Sequence, residues 1–99
     1  MAARTLLKTL TVAAGTGTAS FVFPLGGGSV LKFVAFDAPP GATYTWVLRN
    51  AAGTALAGAP GVVDDQSYYY DIPTLGTLTM TLTVATAGDY SIEVGVDFK

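Results

Sequence analysis

The strongest signal in the chain is strict alternation. Leu78, Met80, Leu82 and Val84 take turns with Thr77, Thr79, Thr81 and Thr83. Period two marks a strand with one buried and one wet face, and β-branched threonine suits the wet side. The pattern breaks at Ala85-Thr86-Ala87-Gly88-Asp89. It resumes with Tyr90, Ile92, Val94, Val96 and Phe98 against Ser91, Glu93, Gly95 and Asp97. Two such strands across a five-residue Gly-Asp connection read as an antiparallel hairpin.

The rest of the chain has the same grain. Residues 42–49 put Tyr44, Trp46 and Leu48 on one face and Thr43, Thr45 and Val47 on the other, between Pro39-Pro40-Gly41 and Asn50-Ala51-Ala52-Gly53. Both flanks are turn chemistry. Residues 30–36 are apolar on both faces except Lys32, which suits a strand covered on both sides or one that meets a partner. Further strands are read at 5–12, 20–23, 54–57 and 67–72, the last stopped by Pro73. Gly26-Gly27-Gly28, after Pro24, reads as a flexible turn: neither a Lys-Ser/Thr pair nor a helix follows to make it a phosphate loop. No window has the spacing of an amphipathic helix.

Seven or eight short strands, separated by most of the twelve glycines and five prolines, predict an all-β fold. The expected architecture is an antiparallel β-sandwich, jelly-roll-like, formed by residues 1–99 as a single domain. Trp46, Tyr44, Leu82, Met80, Ile92 and Val94 are the expected core. Tyr90, just after Gly88-Asp89, is placed to bond back to the backbone in a tyrosine corner. A short echo between residues 10–15 and 82–88 is too slight to count as a repeat.

Composition then narrows the function. The chain lacks Cys and His, so it has no thiol nucleophile, no imidazole base and neither of the usual zinc ligands. No catalytic residues and no cofactor are expected, and the chain is read as not an enzyme. Ser29 and Lys32 form only a formal Ser-Lys pair, with no motif around them. Five basic residues and a net charge of −2 argue against nucleic acid as a partner. No apolar run approaches the roughly 20 residues that span a bilayer, so no membrane role is expected. The first fourteen residues look superficially like an export signal, but Lys8 and three threonines interrupt the apolar stretch. Charge is lopsided, net +3 over residues 1–50 and net −5 over 51–99; strands from both halves interleaving would erase this in space.

Hydrophobic residues make up 51% and charged residues only 12%, against about 25% charged in an ordinary soluble domain. So small a body cannot hide that much apolar surface, and a protein partner is expected to cover some of it. The conspicuous candidates are Tyr68, Tyr69 and Tyr70. In a strand at least one of them points away from the core. One reading packs Tyr69 inward and leaves Tyr68 and Tyr70 on the sheet surface; the other makes the tyrosine strand a protein interface or, less readily, a sugar platform. Asp64, Asp65 and Asp71 are carboxylates of the kind Ca²⁺ takes, but without a tight ligand spacing, and whether they bind a metal stays open.

Residues 43–57 (Thr-Tyr-Thr-Trp-Val-Leu-Arg-Asn-Ala-Ala-Gly-Thr-Ala-Leu-Ala), followed by residues 82–96 with their Ala-Gly-Asp-Tyr turn, resemble the bacterial pre-peptidase C-terminal (PPC-like) β-sandwich. Residues 18–23 are similar to the early strand of that family. The likeness covers about 80 residues and rests on turns and alternation that many sandwiches share. Where that family often carries an acidic residue, this chain has Ala42-Thr43. The resemblance implies a sandwich that binds rather than reacts. Two functions are therefore expected. The first is a structural assembly protein, most concretely a decoration or cement protein on the surface of a phage virion, a homo-oligomer that also contacts a larger lattice such as the major capsid protein. The second is a carbohydrate- or protein-binding module of an extracellular protein, with a pilus or secretion subunit as a lesser option.

Overall fold

The computed structural model describes residues 2–12, 15–21, 29–74 and 77–98. Among them run eight strands: β1 (Ala2–Val12), β2 (Gly15–Phe21), β3 (Ser29–Asp37), β4 (Thr43–Arg49), β5 (Ala55–Val63), β6 (Gln66–Thr74), β7 (Leu78–Val84) and β8 (Gly88–Phe98). They form two four-stranded sheets, ordered β1-β8-β3-β6 and β2-β7-β4-β5, and every pairing is antiparallel. The pairs β1·β8, β2·β7, β3·β6 and β4·β5 are nested, as if one long hairpin had been folded over. That is the jelly-roll arrangement of two Greek keys. Both halves of the sequence contribute to each sheet, so the lopsided charge of the halves does not survive folding.

The predicted hairpin between β7 and β8 does not form. The two strands lie in different sheets, and residues 85–87 carry the chain across the sandwich. Alternation shows which side of a strand is buried, not which strand lies beside it. Here the inner faces of β7 and β8 oppose each other through the core instead of sharing a ladder.

All six expected core residues are fully buried, joined by Leu31, Val34, Leu48, Leu78 and Tyr90. Removing one such aliphatic side chain costs about 2–5 kcal/mol. At one end the core is aromatic. Phe36 of β3 packs against Tyr44 and Trp46 of β4, with ring centroids 5.3 and 5.2 Å apart, and Tyr68 of β6 lies 5.2 Å from Trp46. Tyr44 meets Tyr90 edge-on at 5.5 Å. These rings join the two sheets. The Tyr90 hydroxyl donates to the Thr86 carbonyl at 2.5 Å, which is the expected tyrosine corner.

Four strands differ from their expected limits. β1 begins at Ala2 rather than at the expected Thr5. β5 runs past the expected end at Ala57, through Gly58, Pro60 and Gly61. It is an edge strand, where the missing N–H of proline is no loss. Gly61 has φ 60° and forms a bulge, with two β5 residues opposite Thr45, and its N–H donates to the Thr45 hydroxyl at 3.2 Å. β6 passes through Pro73 for the same edge-strand reason. The strand expected at 20–23 begins earlier, at Gly15, and is described to Phe21; the expected stop at Pro24 and the glycine turn at 26–28 lie outside the described residues.

A candidate interaction surface on the first sheet

The tyrosine triplet lies on β6, an edge of the first sheet, and its side chains alternate. Tyr68 and Tyr70 are half-buried against the core, while Tyr69 is 79% exposed. This reverses the parity in which Tyr69 packs inward. Tyr68 is held by Trp46 and meets Phe36 edge-on at 6.4 Å. Burial and the neighbouring Tyr68 raise the Tyr70 phenol above its ordinary pKa. Of the three interface candidates, Tyr69 is the one that offers a free ring to a partner.

Tyr69 stands opposite Phe33 of β3, ring centroids 6.4 Å apart, and Phe33 stands opposite Gly95 of β8. In the next row Leu7 of β1, 62% exposed, is opposite Glu93 of β8, which is opposite Ala35 of β3. Three exposed large apolar side chains occur among the described residues, and Leu7 and Tyr69 share this outer face. Small residues at Ala35 and Ser91 leave a shallow groove of about 340 Å³ between β1 and β3, lined by Leu7, Ala35, Phe36, Asp37, Ser91 and Glu93. The surface thus carries exposed apolar side chains, with the Glu93 carboxylate set among them.

A bulge shapes the same face. Between the pairs Leu31↔Ile72 and Phe33↔Tyr69, β3 has one residue, Lys32, and β6 has two, Tyr70 and Asp71. Lys32 and Asp71 form an ion pair across it. The hydrogen bond that Lys32 donates to the Asp71 carboxylate raises the Lys32 ammonium above its usual pKa. Both groups are solvent-exposed, so the pair fixes orientation more than it adds stability.

Asp71 is therefore engaged apart from Asp64 and Asp65, and no cluster of three metal-ligating side chains occurs among the described residues. Asp64 and Asp65 form the β5–β6 connection and clamp the β3–β4 turn. The Asp64 carboxylate accepts from the Gly41 N–H at 2.6 Å and Asp65 from the Ala38 N–H at 2.8 Å. Tyr44 donates its hydroxyl to the Asp64 carbonyl at 2.7 Å. These carboxylates satisfy backbone donors at one end of the sandwich. A cleft of about 400 Å³ between the two loops is lined by Ala38, Pro40, Gly41, Asp64 and Asp65.

Leu7 and Phe33 were not singled out from the sequence. The register of a jelly roll brings β1 and β6 to one sheet through β8 and β3, and no local pattern encodes that. The parity of Tyr69 was legible: Tyr68, Tyr70 and Ile72 form the apolar set, and Ser67, Tyr69 and Asp71 the other.

No protein-family model and no curated protein sequence matches the chain. Solved structures do. The chain is similar to the pre-peptidase C-terminal domain of a collagenase from Bacillus anthracis, at 17% identity over 95% of this chain and 88% of that one, TM-score 0.46. It is similar to a protein of Bacillus endospore appendages, described as a family of disulfide-linked pili, at 15% identity over 99% and 88%, TM-score 0.46. It is also similar to VP2 of the infectious bursal disease virus subviral particle, at 14% identity over 96% of this chain, TM-score 0.45; the chain spans about a third (32%) of that VP2 chain. These are likenesses of strand arrangement, and the resemblance to the pre-peptidase C-terminal sandwich seen in the sequence has a weak counterpart in three dimensions.

Proposed function

We propose that this protein is a structural subunit that works by burying surface, in its most concrete form a decoration or cement protein on a virion capsid. It performs no chemistry and needs no cofactor. It associates with copies of itself and with a larger protein lattice. The observation that carries this reading is the outer face of the first sheet, where Leu7 stands exposed and Tyr69 stands exposed beside Phe33, on a domain with few charges. An exposed tyrosine anchored beside a second ring provides contact area at low entropic cost.

The test is solution mass by size-exclusion chromatography with light scattering over a concentration series. A closed oligomer, or a mass that rises with concentration above the 10.1 kDa monomer, supports a structural subunit. A strict monomer at every concentration counts against it. The exposed Tyr69 ring would then favour the second reading, an extracellular module that stacks the ring on a sugar or protein ligand.

A further inference from the structure

Charge in this fold is sorted by sheet. Each strand of the first sheet carries charged residues. The four strands of the second sheet carry one, Arg49, the last residue of β4. The middle of that sheet's outer face is threonine and valine: Thr45 lies opposite Thr83, and Val47 opposite Thr81. The register of β2 places Thr16 and Thr18 beside the same two rows, and β5 continues them with Gly58 opposite Val47. Both edge strands, β2 and β5, lack charge altogether.

Permanently solvated sheets are ordinarily protected by charge, on the face and above all on the edges. This sheet protects its β5 edge with Pro60 and bulges and leaves its face with a single charge, Arg49, at the rim opposite Thr79. A partner covering that face with charged groups would strip them of water and offer them no counter-charge, which is costly. The matching surface must itself be uncharged at its middle, with any charge confined to the rim as Arg49 is. The chain supplies one such surface, its own.

We propose that the outer face of the β2-β7-β4-β5 sheet is a contact between two copies of the chain, packed face to face about a two-fold axis near Thr81 and Val47. This rests on the reading of the protein as a structural subunit, and it assigns one of that subunit's surfaces. Four strands about 4.8 Å apart and seven residues long at about 3.3 Å each give a face of roughly 440 Å². Two such faces bury roughly 900 Å², below the roughly 1,200 Å² of stable specific interfaces and in the range of weak, transient ones. The contact is therefore reversible and concentration-dependent, and becomes firm where a lattice holds many copies together. The Tyr69 face stays free for a different partner.

The experiment combines light scattering with site-directed cross-linking of the full chain. Thr81→Lys sets two like charges against each other across the axis, and the concentration at half-association should rise at least about tenfold. Ala87→Lys, on the exposed crossover between the sheets, should leave it unchanged. The chain has no cysteine, so an introduced thiol reports a single point. Facing sheets stack about 10 Å apart, beyond disulfide reach, so a short bis-maleimide is the appropriate probe. Thr81→Cys should give a cross-linked dimer and Ala87→Cys, on the crossover, should not. The thiol variant is nearly isosteric and decides the matter if Thr81→Lys fails to fold. An oligomer that survives folded Thr81→Lys, fails to cross-link at Thr81→Cys and dissolves with Tyr69→Ala would overturn this assignment while leaving the structural subunit intact. A wild-type chain that is monomeric throughout would overturn both.

Discussion

The ring of Phe33 lies over the backbone of Gly95, its cross-strand partner, in the space where any other residue would place a Cβ. A bare glycine in a strand is a weakness, and covering it with an aromatic ring from the next strand compensates. Phe33 is only half-buried, so Gly95→Ala should push the ring outward at a cost of about 1 kcal/mol. In a Phe33→Ala background the same change should be neutral or stabilising, because alanine suits a strand better than glycine. A double-mutant cycle on denaturant midpoints checks this. Additive effects would show that the ring and the glycine are independent.

Tyr69 and Tyr68 should separate surface from core. Tyr69→Ala removes an exposed ring and should change stability by less than about 0.5 kcal/mol. Tyr68→Ala removes the ring packed on Trp46 and should cost about 2 kcal/mol or more. Retention on a hydrophobic-interaction column should fall for Tyr69→Ala and Leu7→Ala in the folded state. Unchanged retention would remove these two residues from any adhesive patch.

The Asp64–Asp65 clamp predicts a structural effect at the turn end. Asp64 has φ 58°, in the left-handed region. Asp64→Ala loses the bond to Gly41 N–H and places alanine where it is strained, for a combined cost of about 2 kcal/mol. Asp65→Ala loses one bond and should cost about 1 kcal/mol. Because the carboxylates serve backbone donors, chelator and added calcium should leave the wild-type melting temperature unchanged. A calcium-dependent rise would point to a metal at this end.

Alkaline pH should unfold the protein through its tyrosines. Burial, helped by nearby Tyr68 and Asp65, pushes the Tyr44 phenol well above its ordinary range, and burial also raises Tyr90. Tyr70 moves the same way. In the unfolded chain these groups titrate near 10. Above that pH the unfolded chain binds fewer protons than the folded one, so stability is whole below about pH 10 and falls as pH rises past it. Denaturant midpoints between about pH 7 and pH 11 measure the fall. Tyr44→Phe should flatten it, at the cost of the bond to the Asp64 carbonyl.

The elements were more legible than their neighbours. Alternation from Leu78 to Val84 and from Tyr90 to Phe98 told which side chains enter the core, and the threonines told which face turns away from it. It did not tell that β7 and β8 part company. That choice depends on contacts between residues far apart in sequence, such as Leu10 with Tyr90 and Gly17 with Leu82. The strand read at 54–57 fell short of Val63 because the edge position that tolerates Pro60 was not visible. The charges were read by halves of the chain, when the fold sorts them by strand, and strand membership had to be known first.

The pairing of Ala2 with Phe98 has a mechanical consequence. The ends of β1 and β8 leave the sandwich side by side, at one corner. Tension applied between them would peel β1 from β8 rung by rung, each rung bearing the load alone, instead of shearing a whole ladder at once. A subunit that must resist force is therefore best gripped by its broad faces, with the two ends left slack.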